Sequence, residues 1–335
     1  MLMVNAKNKR LALLAAFFMF TVSNSYSMAA TSNEVFMVES ESKIPVSISI
    51  STGVLNGESE EYVYDGSSKL SKLTWDLDRV PVIGIDTSAK LNEKLSINFS
   101  GWTKISESGG NMEDYDWYNG DNEPWTDYSS HDTELDEAYM LDINMSYLLY
   151  KKNNSSVTGE VGFRHDRYKW NAYGGYAIYD SGSVDVDFDD EKNISYDQEF
   201  YAPYLGLTLN TKKDKWLISS YLRGSLWAWG EAEDTHYYPG LTYDTGSSSG
   251  YLSGSDSVTF KDEFENIAYL SLGLNVGYMI MENLVINLSG NFQKYFRETG
   301  DDTVYYSDGS TEYYKDSAGT SNYSYMISLG ATYIF

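Results

Sequence analysis

Apolar and polar residues alternate along this chain with a period of two, over stretches too long and too numerous for chance, so strands rather than helices are the predicted elements. The last twelve residues, "SYMISLGATYIF", show the pattern most clearly. Tyr325, Ile327, Leu329, Ala331, Tyr333 and Phe335 fall on one face, and Ser324, Met326, Ser328, Gly330, Thr332 and Ile334 on the other. An apolar face, a face of mostly small or polar residues and a terminal aromatic suit a strand with lipid outside and a lumen inside. Candidate strands cover 44–64, 69–91, 94–107, 135–151, 155–170, 196–211, 215–231, 262–281, 284–297 and 323–335. Several exceed the roughly 9–11 residues that cross a bilayer and should project beyond it. The connections alternate. "LNEK", "KKNNSS", "TKKDK" and "MEN" are tight, whereas 108–134, 171–195, 232–261 and 298–322 are long, with only the turn near "DGSSK" breaking the rhythm. The expected fold class is all-β: a ten-stranded antiparallel transmembrane β-barrel with long extracellular loops and short periplasmic turns, one domain over 44–335.

The N-terminus adds an address. Lys7, Lys9 and Arg10 precede an apolar run from Leu11 to Val22, and Ser27-Met28-Ala29 gives a small-residue cleavage context. This is the pattern of a secretory signal peptide over 1–29, cut near Ala29 or Ala30, followed by a short periplasmic segment over 30–43. No later stretch offers the ~20 apolar residues of a membrane helix.

Composition then narrows the chemistry. The chain has no cysteine, which excludes disulfides and thiolate chemistry, and only three histidines, His131, His165 and His236. Its 31 tyrosines and 5 prolines favour sheet. The formal charge of −25 becomes −28 once the basic leader is gone, which argues against nucleic acid as a partner. Lys151, Lys152, Lys212, Lys213 and Lys215 lie in tight turns while the long connections carry most of the acids, so one rim should be strongly negative. The long connections are rich in Gly, Ser and Asp and read as mobile and solvated. Trp227, Trp229, Tyr168 and Trp170, near strand ends, suit an interfacial girdle or ordinary packing.

Three constellations could carry chemistry. Asp114 and Asp116 in "GGNMEDYDW" are spaced i, i+2, so on a strand they share a face, raise each other's pKa and can share a proton. Charge runs in so acidic a chain are usually solvated surface, and the spacing alone leaves that reading in front. Asp234 and His236, in "WGEAEDTHYYPG", have the same spacing at a strand end, where the carboxylate can orient the ring and stabilise its imidazolium. Ser129 or Ser130 with His131, in "WTDYSSH", lacks the glycine-framed elbow of a serine nucleophile. No His-Glu-x-x-His motif is present, and "DVDFDD" departs from a calcium loop at Asp190 and Tyr196, so no metal is expected.

Together these stretches resemble the omptin family of bacterial outer-membrane endopeptidases. "GWTKISESGGNMEDYDW" is similar to the family segment with its first aspartate pair, "WTDYSSHDT" to a Trp-Thr-Asp-x-Ser-x-His signature and "EDTHYYPG" to its Asp-x-His segment. "GFRHDRYKWNAYGGYAIY", "FYAPYLGLT" and the C-terminal strand also fit, in order, from about Val46 to Phe335. The resemblance implies that Asp114 and Asp116 are catalytic acids and that Asp234 and His236 form a dyad on a facing rim loop. It gives Ser129 and His131 secondary places in the active site, Glu61 a place in an acidic S1 pocket for basic side chains, and Arg167 a place in a lipopolysaccharide clamp. Departures are visible too. Ala232, between Glu231 and Glu233, stands where a second pocket acid is expected, "SHDT" lacks a proline, and Glu199 and Glu265 fall on two clamp positions.

The expectation is an aspartyl endopeptidase of the outer membrane, its site facing the exterior, cleaving cationic peptides and proteins at basic or dibasic sites. No cofactor is expected, with lipopolysaccharide dependence left open. Other implied partners are outer-membrane lipid and the barrel-assembly machinery, and the barrel should be a monomer. The rival from another class is a weakly proteolytic or non-proteolytic adhesin that binds host surfaces through its loops. A diffusion channel is a third reading, opposed by the filled interior expected of a small barrel.

Overall fold

The computed structural model of the protein describes residues 45–120, 123–238, 242–244, 249–251 and 256–335. The leader and the 30–43 segment lie outside the described residues. The strands are β1 (Val46–Asp65), β2 (Ser68–Lys90), β3 (Leu95–Lys104), β4 (Gly109–Asp116), β5 (Asp127–Lys152), β6 (Ser155–Tyr179), β7 (Val184–Asp187), β8 (Lys192–Lys213), β9 (Trp216–Tyr238), β10 (Thr242–Asp244), β11 (Ser249–Tyr251), β12 (Asp256–Met281), β13 (Leu284–Tyr306) and β14 (Thr311–Ile334).

Twelve of these join in one antiparallel sheet, and β10 and β11 pair separately. β3 and β4 both lie between β2 and β5 and run end to end, so they form one interrupted stave. β7 only extends the tip of β6. The ring therefore closes through ten staves, with β14 hydrogen-bonded back to β1 from Ser47↔Ile334 to Val63↔Ala318. Closure leaves no long edge to template pairing with another chain. Several tight turns begin on a residue that tolerates left-handed φ: Gly66 at 58°, Asn153 at 53° and Asp214 at 53°.

The long connections differ from expectation. Most of 298–322 is strand, with β13 continuing to Tyr306 and β14 starting at Thr311. Likewise 108–134 holds β4 and the start of β5, and 232–261 holds the ends of β9 and β12. Gly, Ser and Asp weaken the apolar alternation that marks a strand, but neighbours in register satisfy each backbone group, so the staves rise far above the lipid belt as ladders.

The faces segregate as the sequence pattern requires. Along β5, Leu141, Ile143, Met145 and Tyr147 are exposed, and the alternating Asp142, Asn144 and Ser146 are buried. β14 repeats this, with Ile327, Leu329 and Tyr333 outside and Ser324, Ser328 and Thr332 inside. The lumen is bridged by ions. Arg223 Nε donates to Glu160 at 2.8 Å and its Nη1 to Asp142 at 3.3 Å, while Arg164 grips Asp166 at 2.7 and 2.9 Å. A cavity of about 60 Å³ remains beside Asp86, Asp142 and Arg223, too small for a solute path.

Above the ions an aromatic layer seals the barrel. Phe200 stacks on Tyr295 at 4.1 Å between ring centres, and Trp75 on Tyr196 at 5.2 Å. Tyr168 and Trp170 belong to this layer, fully buried, and are not part of an outer girdle; Trp227 alone of the four is strongly exposed, at 65%. Position in a strand gives no sign of which face is lipid when both carry aromatics. The sealed layer is the floor of what lies above.

Candidate active site

The Asp114–Asp116 pair lies on the inner wall formed by β4, not on a loop. Cross-strand register sets Asp114 between Leu73 and Ser129, and Asp116 between Ser71 and Asp127. Ser71 Oγ donates to Asp114 Oδ1 at 2.7 Å. Burial pushes the Asp114 carboxyl up to about 6, against the Ser71 hydrogen bond and the charge of His236, which pull it down. Asp116 is pushed up to about 7 by burial and then by the charge of Asp114. Two carboxyls this close hold a proton between them into the neutral range.

Asp234 and His236 lie on β9, four staves from β4 round one side of the ring and six round the other, and so face it across the lumen. The i, i+2 spacing puts both on the inner face. His236 Nε2 donates to Asp234 Oδ2 at 2.6 Å, and the carboxylate is buried while the ring is partly open to the groove. Phe260 packs its edge against that ring at 5.7 Å. Burial disfavours the imidazolium, yet the charge and hydrogen bond of Asp234, followed by the charges of Asp114 and Asp116, outweigh it and raise the His236 pKa. Each pair thus feels the other. The structure brings all four residues into one groove.

Beside them, His131 is held by a distortion of β6. The register slips between Ser130↔Tyr176 and Asp132↔Tyr173, and Gly174 and Gly175 take φ of 50° and 91°. A side chain at Gly175 would meet the Ser130 carbonyl at 2.0 Å, so glycine is required there. The bulge turns the Gly174 carbonyl to accept from His131 Nδ1, and Asn193 Nδ2 donates to the same carbonyl at 3.0 Å. That fixes Nε2 as the acceptor for Ser129 Oγ at 3.1 Å. Burial lowers the His131 pKa, so the ring is neutral and positions rather than charges. Ser130 bonds instead to Asn111, at 3.1 Å. The first three residues of "DVDFDD" lie in β7, and Phe188 just after it packs against the His131 ring at 5.1 Å, a packing role for that segment.

Glu61 is buried on β1, and its pKa is raised by burial and then by the charges of Asp234, Asp262 and Asp114. Asp262 and Asp302 belong to the same acidic wall and were missed in the sequence. The only signal was that Asp262 alternates with Phe260 and Phe264, and nothing short of the register shows what it faces. Ser71, Gly174 and Asn193 were missed for the same reason. Arg167 lies apart, on the outer face of β6. Asp197 holds it at 2.6 Å, Glu199 at 3.4 Å and Glu137 at 3.5 Å.

A closed barrel with a lipid-facing belt, a sealed lumen and a groove of carboxylates around a carboxylate-bound imidazole defines a class of membrane barrel built to act on something held above the bilayer. Comparison with known proteins makes this specific. The omptin family profile matches residues 42–335, and the chain belongs to the omptin family. It is similar to outer membrane protease OmpP of Escherichia coli K12, 30% identical over 304 residues, covering 87% of this chain and 90% of that protein. It is also similar to the plasminogen activator of Yersinia pestis, 29% identical over 294 residues, covering 86% and 89%. The crystal structure of outer membrane protease OmpT from Escherichia coli superposes with a TM-score of 0.77 at 28% identity, over 87% of this chain and 97% of that one. The barrel is an outer-membrane protein.

Proposed function

We propose that this chain is an endopeptidase that hydrolyses peptide bonds with a water held between His236 and Asp114. The observation that carries the reading is the Asp234–His236 hydrogen bond of 2.6 Å on a wall facing the Asp114–Asp116 pair. Nε2 is committed to Asp234, so the ring takes the water's proton on Nδ1, and Asp234 stabilises the resulting imidazolium. The hydroxide attacks the scissile carbonyl directly, with no acyl-enzyme. Asp116 keeps a proton on the facing pair, which supplies an acid for the departing amine. Ser129 and His131 buttress the β5 side of the groove. The acidic groove, facing the exterior, draws in cationic segments and seats a basic residue beside Glu61.

The test is turnover of quenched Arg-Arg and Arg-Lys peptides, with Ala-Ala as control, by the refolded barrel with and without lipopolysaccharide. Cleavage of the basic peptides that vanishes in His236→Ala supports the reading; equal rates in both would sink it. A second reading, adhesion through the hairpins, is favoured by exposed tyrosines, Tyr118 in the turn after β4 and Tyr176, Tyr305, Tyr313 and Tyr314 on the strand walls. Asp234→Ala separates the two, since it should abolish turnover and leave surface binding unchanged.

A further inference from the structure

The acid expected at position 232 is absent, and the register shows what stands next to the gap. Ala232 on β9 pairs directly with Asp262 on β12, and Asp262 pairs directly with Asp302 on β13. Directly opposed residues share a face of the sheet, so Asp262 presents its carboxyl one stave further round at the height of Ala232. Asp262 is 5% exposed and Asp302 9%, and Glu61, facing them from β1, is 4% exposed. Three carboxylate oxygens here, Glu61 Oε2, Asp234 Oδ1 and Asp302 Oδ1, are buried without a hydrogen-bond partner.

Such oxygens are costly to leave unpaired, and the groups acting most strongly on Glu61 and Asp262 are other carboxylates, Asp234 acting on both. No group of His, Cys, Asp or Glu among the described residues has the arrangement to hold a metal ion. A cationic side chain brought in by a substrate would supply these carboxylates with a counter-charge. On the other side of Ala232 its direct partner Gln198 on β8 closes the space, its Nε2 donating to Tyr196 at 3.0 Å and Thr320 at 2.8 Å and its Oε1 accepting from Ser59 at 2.6 Å. The Trp75–Tyr196 stack adds an apolar wall. An apolar wall with carboxylates at its end suits a long stem ending in a cation.

We infer that Asp262, backed by Asp302, takes over as the second acid of the P1 pocket in place of the residue at 232, so that a guanidinium or ammonium is gripped between Glu61 and Asp262. The inference rests on the peptidase reading for the word P1, and on the register alone for the pocket. It makes the pocket of this chain basic-selective despite Ala232, with the charge displaced by one stave.

Two measurements test it, both on the full barrel refolded in detergent. The first is kcat/KM for peptides that differ only in P1, arginine against norleucine. Asp262→Asn should lower the arginine-to-norleucine ratio by roughly 30-fold or more, as truncation of one partner of a buried charge pair does. Asp302→Asn should lower it less, and Ala232→Asp added to Asp262→Asn should restore it. An unchanged ratio in folded Asp262→Asn overturns the assignment and leaves the peptidase standing. The second measurement is binding of benzamidine, followed by tryptophan fluorescence, which needs no turnover. Binding lost in Asp262→Asn and kept in His236→Ala supports the pocket even if no peptide is cut, in which case only the peptidase reading fails. Benzamidine that binds Asp262→Asn as well as wild type, or binds neither, overturns the pocket.

Discussion

Two clusters of buried carboxylates sit in one barrel, and they are built in opposite ways. In the lumen, Asp142, Glu160 and Asp166 are each bonded to an arginine, Arg223 or Arg164. In the groove above, Glu61, Asp114, Asp116, Asp234, Asp262 and Asp302 share one histidine, and three of their oxygens have no partner. The aromatic layer of Trp75, Tyr196, Phe200 and Tyr295 separates them. A buried carboxylate paired within the protein closes a pore. Those left without a partner line the open groove, and the difference points to the groove as the site without reference to any motif.

The dyad is where the contrast breaks most sharply. Asp234→Asn keeps the shape but removes the charge that holds the His236 tautomer, and turnover should fall by about 10³–10⁴-fold, as such a change does in other carboxylate–histidine pairs. The lower cluster answers in a different measurement. Arg223→Leu would strand Glu160 and Asp142 as buried charges and should destabilise the barrel by about 3–5 kcal/mol, read as a lower urea midpoint in lipid vesicles. If Arg223→Leu instead left stability intact and abolished cleavage, the division between a structural and a functional cluster would be wrong.

The two clusters were not equally legible in the sequence. β14 and the lower half of β5 could be read directly, because lipid on one side and a polar lumen on the other enforce alternation residue by residue. For Asp114 with Asp116 and Asp234 with His236, the i, i+2 spacing was enough to place each pair on one face of a strand, but for the aspartates it left solvated surface as the leading reading, and only the family resemblance set the two pairs facing each other. Above the bilayer that discipline lapses. Both faces of the protruding staves meet water or each other, so strand looked like loop over 298–322, and Tyr168 and Trp170 could be read equally as girdle or as packing. Asp262 was illegible for a further reason: its meaning comes from standing opposite Ala232, and the register between β9 and β12, joined by a long connection, cannot be read from the periodicity of either strand alone.

Titration sharpens the contrast at a smaller amplitude. Asp302, with its carboxyl pushed up to about 6, and Glu61, with its carboxyl raised, bind protons in the folded barrel at pH values where the unfolded chain has released them. The folded state is therefore favoured below that range and loses this contribution as pH rises from the ordinary carboxylate value through about 6. The urea midpoint should rise on going from pH 7.5 to 5.5, and Asp302→Asn should flatten the slope. Turnover should instead rise from the acid side, because His236 must be neutral to accept a proton and its pKa is raised, and fall again once Asp116, pushed up to about 7, loses the proton it supplies. A stability maximum lying below the activity maximum is the signature of carboxylates kept unpaired for function. Coincident maxima would show that the groove acids are neutralised by something within the protein.

Arg167 provides an intermediate case and the smallest expected effect. It is a single outward cation held by Asp197, Glu199 and Glu137, at 2.6, 3.4 and 3.5 Å. Three carboxylates around one guanidinium leave the patch net negative, and the Arg167–Asp197 pairing is bidentate, the geometry a phosphate would need for itself. A lipid phosphate must displace these carboxylates or reach them through a divalent cation. We therefore expect lipopolysaccharide to raise turnover by no more than a few-fold, and Arg167→Ala to leave that increment nearly unchanged. Glu199→Gln with Asp197→Asn, which frees the guanidinium, should enlarge the response to lipopolysaccharide added without magnesium. Strong activation of the wild-type barrel in the absence of magnesium, lost in Arg167→Ala, would show instead that a cation already surrounded by acids can still exchange them for an external anion, and the rule that sorts the two interior clusters would not extend to the outer surface.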